Sequence, residues 1–275
     1  MLIRDALAQA RQAGVDRLDA QWLLGHVLRR DRAWLLAHDD EALPHAATAA
    51  WPTLLARRAA GEPLAYVTGE RAFCGLTLQV SPAVLVPRPE TELLVAGALA
   101  CLGSAPSLDV IDLGTGSGAI ALAVAHARPD ARLLATDANV EALAIASANA
   151  QQLALRVRFA QGHWWAAAGG GRFGLALSNP PYIAERDPHL AALAHEPRTA
   201  LTSGGDGLDA LRQIIASAPA HLLPGAWLLL EHGHDQADAV RTLLLGTGFG
   251  PPQTRADLAG LPRCSGAMWP GSPFG

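Results

Sequence analysis

The chain contains no lysine; all 21 of its basic side chains are arginine. That absence excludes a phosphate-binding loop of the GxxxxGK(S/T) type, which needs its lysine to reach the phosphates. Cysteine is scarce as well. Cys74, Cys101 and Cys264 are odd in number, widely spaced and without a CxxC pair, so neither a disulfide framework nor a zinc site is supported. No apolar run approaches the roughly 20 residues that cross a bilayer. The start, Met1-Leu2-Ile3-Arg4-Asp5, has no charged segment followed by a long apolar one, and the expectation is a soluble cytoplasmic protein. Positive charge is not in excess either. The formal net charge is −4, whereas a protein that grips a long nucleic-acid backbone shows a basic face. Arg29, Arg30 and Arg32, with Arg57 and Arg58 further on, make only a thin cluster.

What is present is apolar and periodic. Half of the 275 residues are hydrophobic and 17% are charged, enough for one large domain with its own core and a small companion. Residues 1–72 read as helical. Leu2, Ala6, Ala10 and Ala13 recur at helical spacing, as do Ala20, Leu23, Leu24, Val27 and Leu28, and a third helix, Thr48–Ala60, stops at Gly61-Glu62-Pro63. Trp22, Trp34 and Trp51 fall on these helices as core positions. Residues 73–92 read as a β-hairpin linker: Leu76, Leu78 and Val80 alternate, Ser81-Pro82 supplies a turn, and Pro87-Arg88-Pro89-Glu90-Thr91-Glu92 is barred from helix interiors and central strands by its prolines. From Ser107 the chain alternates apolar strands with helices, leaving Ala166–Gly171 as a flexible loop. That alternation predicts an α/β fold with a doubly wound parallel sheet over residues 93–275.

Asp112-Leu113-Gly114-Thr115-Gly116-Ser117-Gly118 lies where the first strand of that sheet turns into its first helix. Glycine there permits a sharp turn and a close backbone approach to a ligand. A dinucleotide fold prefers GxGxxG, with pyrophosphate on the helix N-terminus. The GxGxG spacing here, with Asp112 two positions earlier, suits S-adenosylmethionine, which has no phosphate and a cationic amino-acid end. Asp137 ends the second strand, placed to accept from both ribose hydroxyls. The competing account is an ordinary tight turn with Asp137 capping the next helix.

Asn179-Pro180-Pro181-Tyr182 follows the apolar strand Leu175-Ala176-Leu177-Ser178. Ligands of a doubly wound sheet sit beyond the carboxyl ends of its strands, so this tetrapeptide and the glycine loop face one crevice. The residue types fit methylation of a planar NH2 group, whose delocalised lone pair makes a poor nucleophile. The Asn179 side-chain oxygen and the Pro180 carbonyl can take its two N–H bonds and aim the nitrogen. The same acceptors strengthen as positive charge develops. Two prolines stiffen the loop, and Tyr182 offers a flat face for stacking. By itself the tetrapeptide leaves an amide and the exocyclic amine of adenine equally open.

Over essentially its whole length the chain resembles the bacterial release-factor glutamine methyltransferases (the HemK/PrmC family). The residues that carry the resemblance are Gly61-Glu62-Pro63 with Tyr66, Gly69 and Phe73; the linker Pro87–Glu92; Asp109–Gly118; Asn179–Ile183; Glu196-Pro197; and Leu230-Glu231-His232-Gly233. The Pro-Arg-Pro-x-Thr-Glu linker is the most family-specific of them. The resemblance implies a Rossmann-like class I methyltransferase with S-adenosyl-L-methionine as cofactor and the glutamine of the GGQ motif in class-1 peptide chain release factors as substrate. It implies that Gly114, Thr115, Gly116, Ser117, Gly118 and Asp137 bind the cofactor, that Asn179 touches cofactor and substrate, and that Pro180, Pro181 and Tyr182 shape the glutamine pocket. Asn179, Pro180 and Tyr182 are the catalytic candidates. Trp164 matches an aromatic that packs on adenine; the acidic residue often found just before it is His163 here. The helical domain is expected to recognise the release factor, with the protein acting as a monomer without direct contact to nucleic acid or membrane.

Other features have plain readings. Glu231-His232-Gly233-His234 lies at a strand end without a third spaced ligand, which favours a structural role over a metal. His195 and Glu196 either cover the site or belong to a polar surface loop. Arg88, Glu90 and Glu92 either order the linker against the cofactor pocket or form local ion pairs.

Overall fold

The computed structural model describes residues 1–103 and 108–271, so Ser107, where the α/β run was expected to begin, and the last four residues lie outside the described residues. The chain divides into two compact units, Met1–Glu70 and Arg71–Gly275.

The first unit is helical: α1 (Ile3–Gln12), α2 (Arg17–Leu28), α3 (Arg32–Ala37), α4 (His45–Ala59) and α5 (Leu64–Thr68). Its core forms because Ile3, Ala6 and Ala10 share one face of α1 and meet Leu23 and Leu24 of α2, Leu35 of α3 and Trp51 of α4. Asp16 caps α2, its carboxylate accepting from Leu18 N at 2.7 Å. Trp51 is fully buried, but Trp22, expected in the core, is exposed. It falls on the solvent side of α2, whose inward positions are Ala20, Leu23 and Leu24. The short helices α3 and α5 had no legible periodicity, being only six and five residues long.

The hairpin is formed by β1 (Glu70–Phe73) and β2 (Leu76–Gln79), earlier in the chain than its expected turn at Ser81-Pro82. Cys74 (φ +47°) and Gly75 (φ +76°) close it. Positive φ at both central positions matches the twist of the two strands. Ser81 instead begins a separate turn, its hydroxyl accepting from Ala83 N.

After a 3-10 turn at Pro89–Thr91, the second unit runs through α6 (Glu92–Leu102), β3 (Asp109–Leu113), α7 (Ala119–Ala127), β4 (Arg132–Asp137), α8 (Val140–Gln152), β5 (Val157–Gln161), β6 (Phe173–Ser178), α9 (Asp209–Ser217), β7 (Leu222–Glu231), α10 (Ala237–Gly246), β8 (Gln253–Ala256) and β9 (Pro262–Met268). Part of the expected loop Ala166–Gly171 is ordered as a 3-10 turn over Trp164–Ala168. The strand order is β5-β4-β3-β6-β7-β9-β8. Pairings from β5 to β7 are parallel, and β9 returns antiparallel to β7 and β8. The sheet is therefore doubly wound, with strand order reversing at β3.

Successive strand residues feed opposite faces. Val110, Leu133, Leu175, Leu177 and Leu229 join one core with Leu94 and Leu102 of α6 and Leu122 of α7. Ile111, Leu113, Leu134, Ala176, Leu228 and Leu230 join another with Leu211 and Ile214 of α9 and Val240 and Leu244 of α10. Burial on both faces explains why these strands read as continuous apolar runs. The reversal places the carboxyl ends of β3 and β6 side by side, and the Ser178 hydroxyl donates to Leu113 O at 2.7 Å across them. Gly114 and Asn179 are the next residues of the two strands.

Candidate active site

Gly114 and Thr115 both donate their backbone N–H to Thr136 O, at 2.9 and 2.8 Å, which folds the glycine loop back over the end of β4. The loop requires φ of +74°, +56° and +84° at Gly114, Gly116 and Gly118, a conformation that L side chains adopt at a cost. Asp137 is fastened in the same place. Its Oδ2 accepts from Gly116 N and its Oδ1 from Asn139 N, both at 2.9 Å.

A cavity of about 660 Å3 lies over this loop, lined by Gly114–Ser117, Asp137, His163, Trp164 and Asn179, with Pro87, Arg88 and Thr91 of the linker and Pro181 also on its wall. A second, of about 250 Å3, is lined by Leu85, Arg88, Asn179, Pro180, Tyr182, Ile183, Leu193, Ala200 and Leu201. Asn179 borders both. The predicted residues thus gather at one place, with two differences of position. Gly118 lies outside the lining and caps α7; a Cβ there would meet Leu122 Cδ1 at 3.0 Å and Ala146 Cβ at 3.2 Å. Asp112 does not face the cavity. It is fully buried beneath the loop and accepts from the Thr115 hydroxyl at 2.6 Å. Burial is the main cause pushing its carboxyl up to about 7, so its place is to hold the loop from below.

The residues present fit S-adenosylmethionine. Trp164 adopts φ +48°, a strained conformation for a bulky residue, and its ring lies against Gly114: a Cβ there would come 3.1 Å from Trp164 Cζ3. The indole Nε1 is buried without a partner among the described residues. Bare glycine, an aromatic face and the Asp137 carboxylate on one wall suit a nucleoside with ribose hydroxyls.

Sequence reasoning left several lining residues out. His163 borders the larger cavity and meets Trp164 edge-on at 5.0 Å. Thr91 is buried and accepts from Asn179 Nδ2 at 3.1 Å. Glu196 is buried; it accepts from Val86 N at 3.1 Å and forms an ion pair with Arg88, so it ties the linker to the chain that follows the tetrapeptide. Glu92 accepts from Cys74 N at 3.0 Å and steadies the hairpin turn. His195 is exposed. His232 spends both ring nitrogens, on Gly233 O and Ser265 Oγ at 2.8 Å each.

Tyr182 turns its hydroxyl inward to Glu231 Oε1 at 3.3 Å, and Gln236 Nε2 holds its carbonyl at 2.9 Å. Burial, then the Glu231 charge, raises the phenol above its ordinary range. Burial likewise pushes Glu231 up to about 7, against the hydrogen bond from Tyr182.

Two families match the chain: the PrmC N-terminal domain over residues 2–69 and the methyltransferase small domain over residues 91–208. A Bordetella pertussis protein named release factor glutamine methyltransferase is 51% identical over 268 residues, covering 96% of this chain and 98% of that protein. One of the same name from Xylella fastidiosa (strain Temecula1) is 52% identical over 269 residues, covering 97% and 98%. Among solved structures, a T. thermophilus 16S rRNA N2 G1207 methyltransferase in complex with AdoMet and guanosine is similar with a TM-score of 0.56 at 20% identity, over 72% of this chain and 49% of that one. A methyltransferase from Pyrococcus furiosus gives 0.53 at 18% identity, over 72% and 90%. These last two likenesses are of fold.

Proposed function

Because this chain belongs to the release factor glutamine methyltransferases, we propose that it methylates the glutamine side-chain amide of a release factor in the cleft that Asn179 borders. It is an S-adenosylmethionine-dependent enzyme of translation termination. The observation that supports this site is the position of Asn179 on both cavities, one sized and lined for a nucleoside cofactor, the other narrow and walled by Pro180 and Tyr182.

S-adenosylmethionine, when bound, supplies an electrophilic methyl group on its sulfonium. Gly114–Ser117, Asp137 and Trp164 would hold it in the larger cavity. Asn179 Oδ1 and the Pro180 carbonyl accept the two amide N–H bonds of the substrate glutamine, which aims its nitrogen across the cavity boundary. Both acceptors bind more strongly as positive charge develops on that nitrogen. Tyr182, anchored at its hydroxyl and carbonyl, presents its ring to the planar amide. No strong base is required, because the amide proton becomes acidic on methylation.

The substrate is the glutamine of the GGQ motif in class-1 release factors, recognised with the help of the helical domain at residues 1–72; residues 73–92 are the hairpin linker and 93–275 the methyltransferase domain. The net charge of −4 supports a protein substrate over nucleic acid. Among the described residues no helix is long and apolar enough to cross a membrane, and the chain is taken to work as a cytoplasmic monomer.

Incubation with methyl-labelled cofactor tests this reading, using a release factor, its GGQ Gln→Ala variant and adenine-containing nucleic acid in turn. Label on the wild-type release factor alone is expected. Label on nucleic acid alone would overturn the substrate, and label on none would indicate cofactor binding without transfer.

A further inference from the structure

Thr91 belongs to neither the glycine loop nor the tetrapeptide, yet it stands between the Asn179 side chain and a buried carboxyl. Thr91 is 3% exposed and Glu231 2% exposed. Asn179 Nδ2 donates to Thr91 Oγ1 at 3.1 Å, beside the Glu231 carboxyl. A hydroxyl has one hydrogen and two lone pairs. With a lone pair given to Asn179, the hydroxyl serves that contact as the acceptor. Tyr182 donates to the same carboxyl at 3.3 Å.

This direction matters because the two ends of an asparagine amide have nearly the same shape. Sterics do not decide which end faces the substrate; hydrogen bonding does. Were the Thr91 hydrogen turned to Asn179, the amide would flip and place its NH2 towards the incoming N–H groups, donor against donor. We propose that Thr91 is a positioning residue: accepting from Nδ2, it holds Asn179 so that Oδ1, the acceptor end, meets the substrate amide. The proposal rests on the assignment of Asn179 as the residue that receives that amide. It gives the threonine of the Pro-Arg-Pro-x-Thr-Glu linker a function in catalysis, through a contact between residues 88 apart in sequence.

The test compares kcat on release factor, KM and calorimetric cofactor affinity for Thr91→Val, Thr91→Ser and Asn179→Ala. Thr91→Val keeps the shape and loses the hydroxyl, and its kcat should fall roughly tenfold or more, the worth of one oriented hydrogen bond, with cofactor affinity retained. Thr91→Ser should restore kcat to within about threefold of wild type, since it returns the hydroxyl. Wild-type kcat in Thr91→Val, or a Thr91→Ser as slow as Thr91→Val, overturns the proposal by reducing Thr91 to a packing residue. Normal turnover in Asn179→Ala overturns the site assignment itself, whereas loss there with none in Thr91→Val overturns the positioning role alone.

Discussion

Asn179 carries two duties in one amide: its nitrogen is tied to Thr91, which leaves the oxygen as the end that can accept from a substrate. Truncation to alanine removes the acceptor and leaves the glycine loop, Asp137 and Trp164 in place. Asn179→Ala is therefore expected to keep cofactor affinity within a few-fold in titration calorimetry while kcat falls about 100-fold or more, the order seen when a transition-state hydrogen-bond partner is removed. His163 is the other residue with a local consequence. It borders the cofactor cavity beside Trp164 at the place where the family often has a carboxylate, an acceptor for an exocyclic amine. His163→Asp should match or exceed wild-type cofactor affinity by calorimetry; clear weakening would show that the imidazole itself makes the contact.

Elements are held around the site by a few buried polar side chains. Asn149 on α8 is fully buried. Its Oδ1 accepts from Gln79 N at 2.7 Å, and its Nδ2 donates to Gln79 O at 3.0 Å and to Ser117 O at 2.9 Å. One side chain thus completes the exposed edge of β2 and fastens it beside the glycine loop. Asn149→Ala leaves the buried Ser117 carbonyl and the partly buried Gln79 N–H and C=O without that partner and should cost about 2 kcal/mol, read as a lower urea midpoint, with weaker cofactor binding because Ser117 is released. On the opposite side Glu196 pairs with Arg88 and with Val86 N, which confines a linker already stiffened by Pro87 and Pro89.

At the scale of the whole molecule, two buried carboxyls dominate the response to pH near neutrality. Burial raises Asp112 and Glu231 from the ordinary carboxylate range to about 7. Between those limits the folded chain retains protons that the unfolded chain has released, so stability falls as pH rises through that window. His232 works the other way: burial lowers it, and its contribution rises with pH up to the ordinary imidazole value. Carboxylates held low by ion pairs, such as Asp109 and Asp257, lose their contribution only in acid. Two groups against one leave the urea midpoint higher at pH 5.5 than at pH 8, and Glu231→Gln should lessen the difference. A midpoint that rises across this interval would count against the buried carboxyls being protonated.

The reaction type was legible in the sequence because its requirements are local. Positive-φ glycines, a strand-ending aspartate and a stiff Asn-Pro-Pro-Tyr corner each occupy a few consecutive residues, and the alternation of apolar strands and helices implied the doubly wound sheet that brings them together. The C-terminal strands β8 and β9 escaped notice because neither carries a clear apolar alternation; β8 is exposed along its length. The hairpin turn was missed because Cys74-Gly75 is an uncommon pair for positive φ at both positions. Side-chain direction belonged to the tertiary structure alone. Asp112 proved to face the core rather than the ligand, Gly118 the helix packing rather than the cavity, Thr91 the cavity rather than solvent, and Glu196 and Glu231 buried partners behind its wall. Hydrogen bonds between residues 88 or 108 positions apart depend on which strand ends the sheet makes neighbours, and no local pattern encodes that.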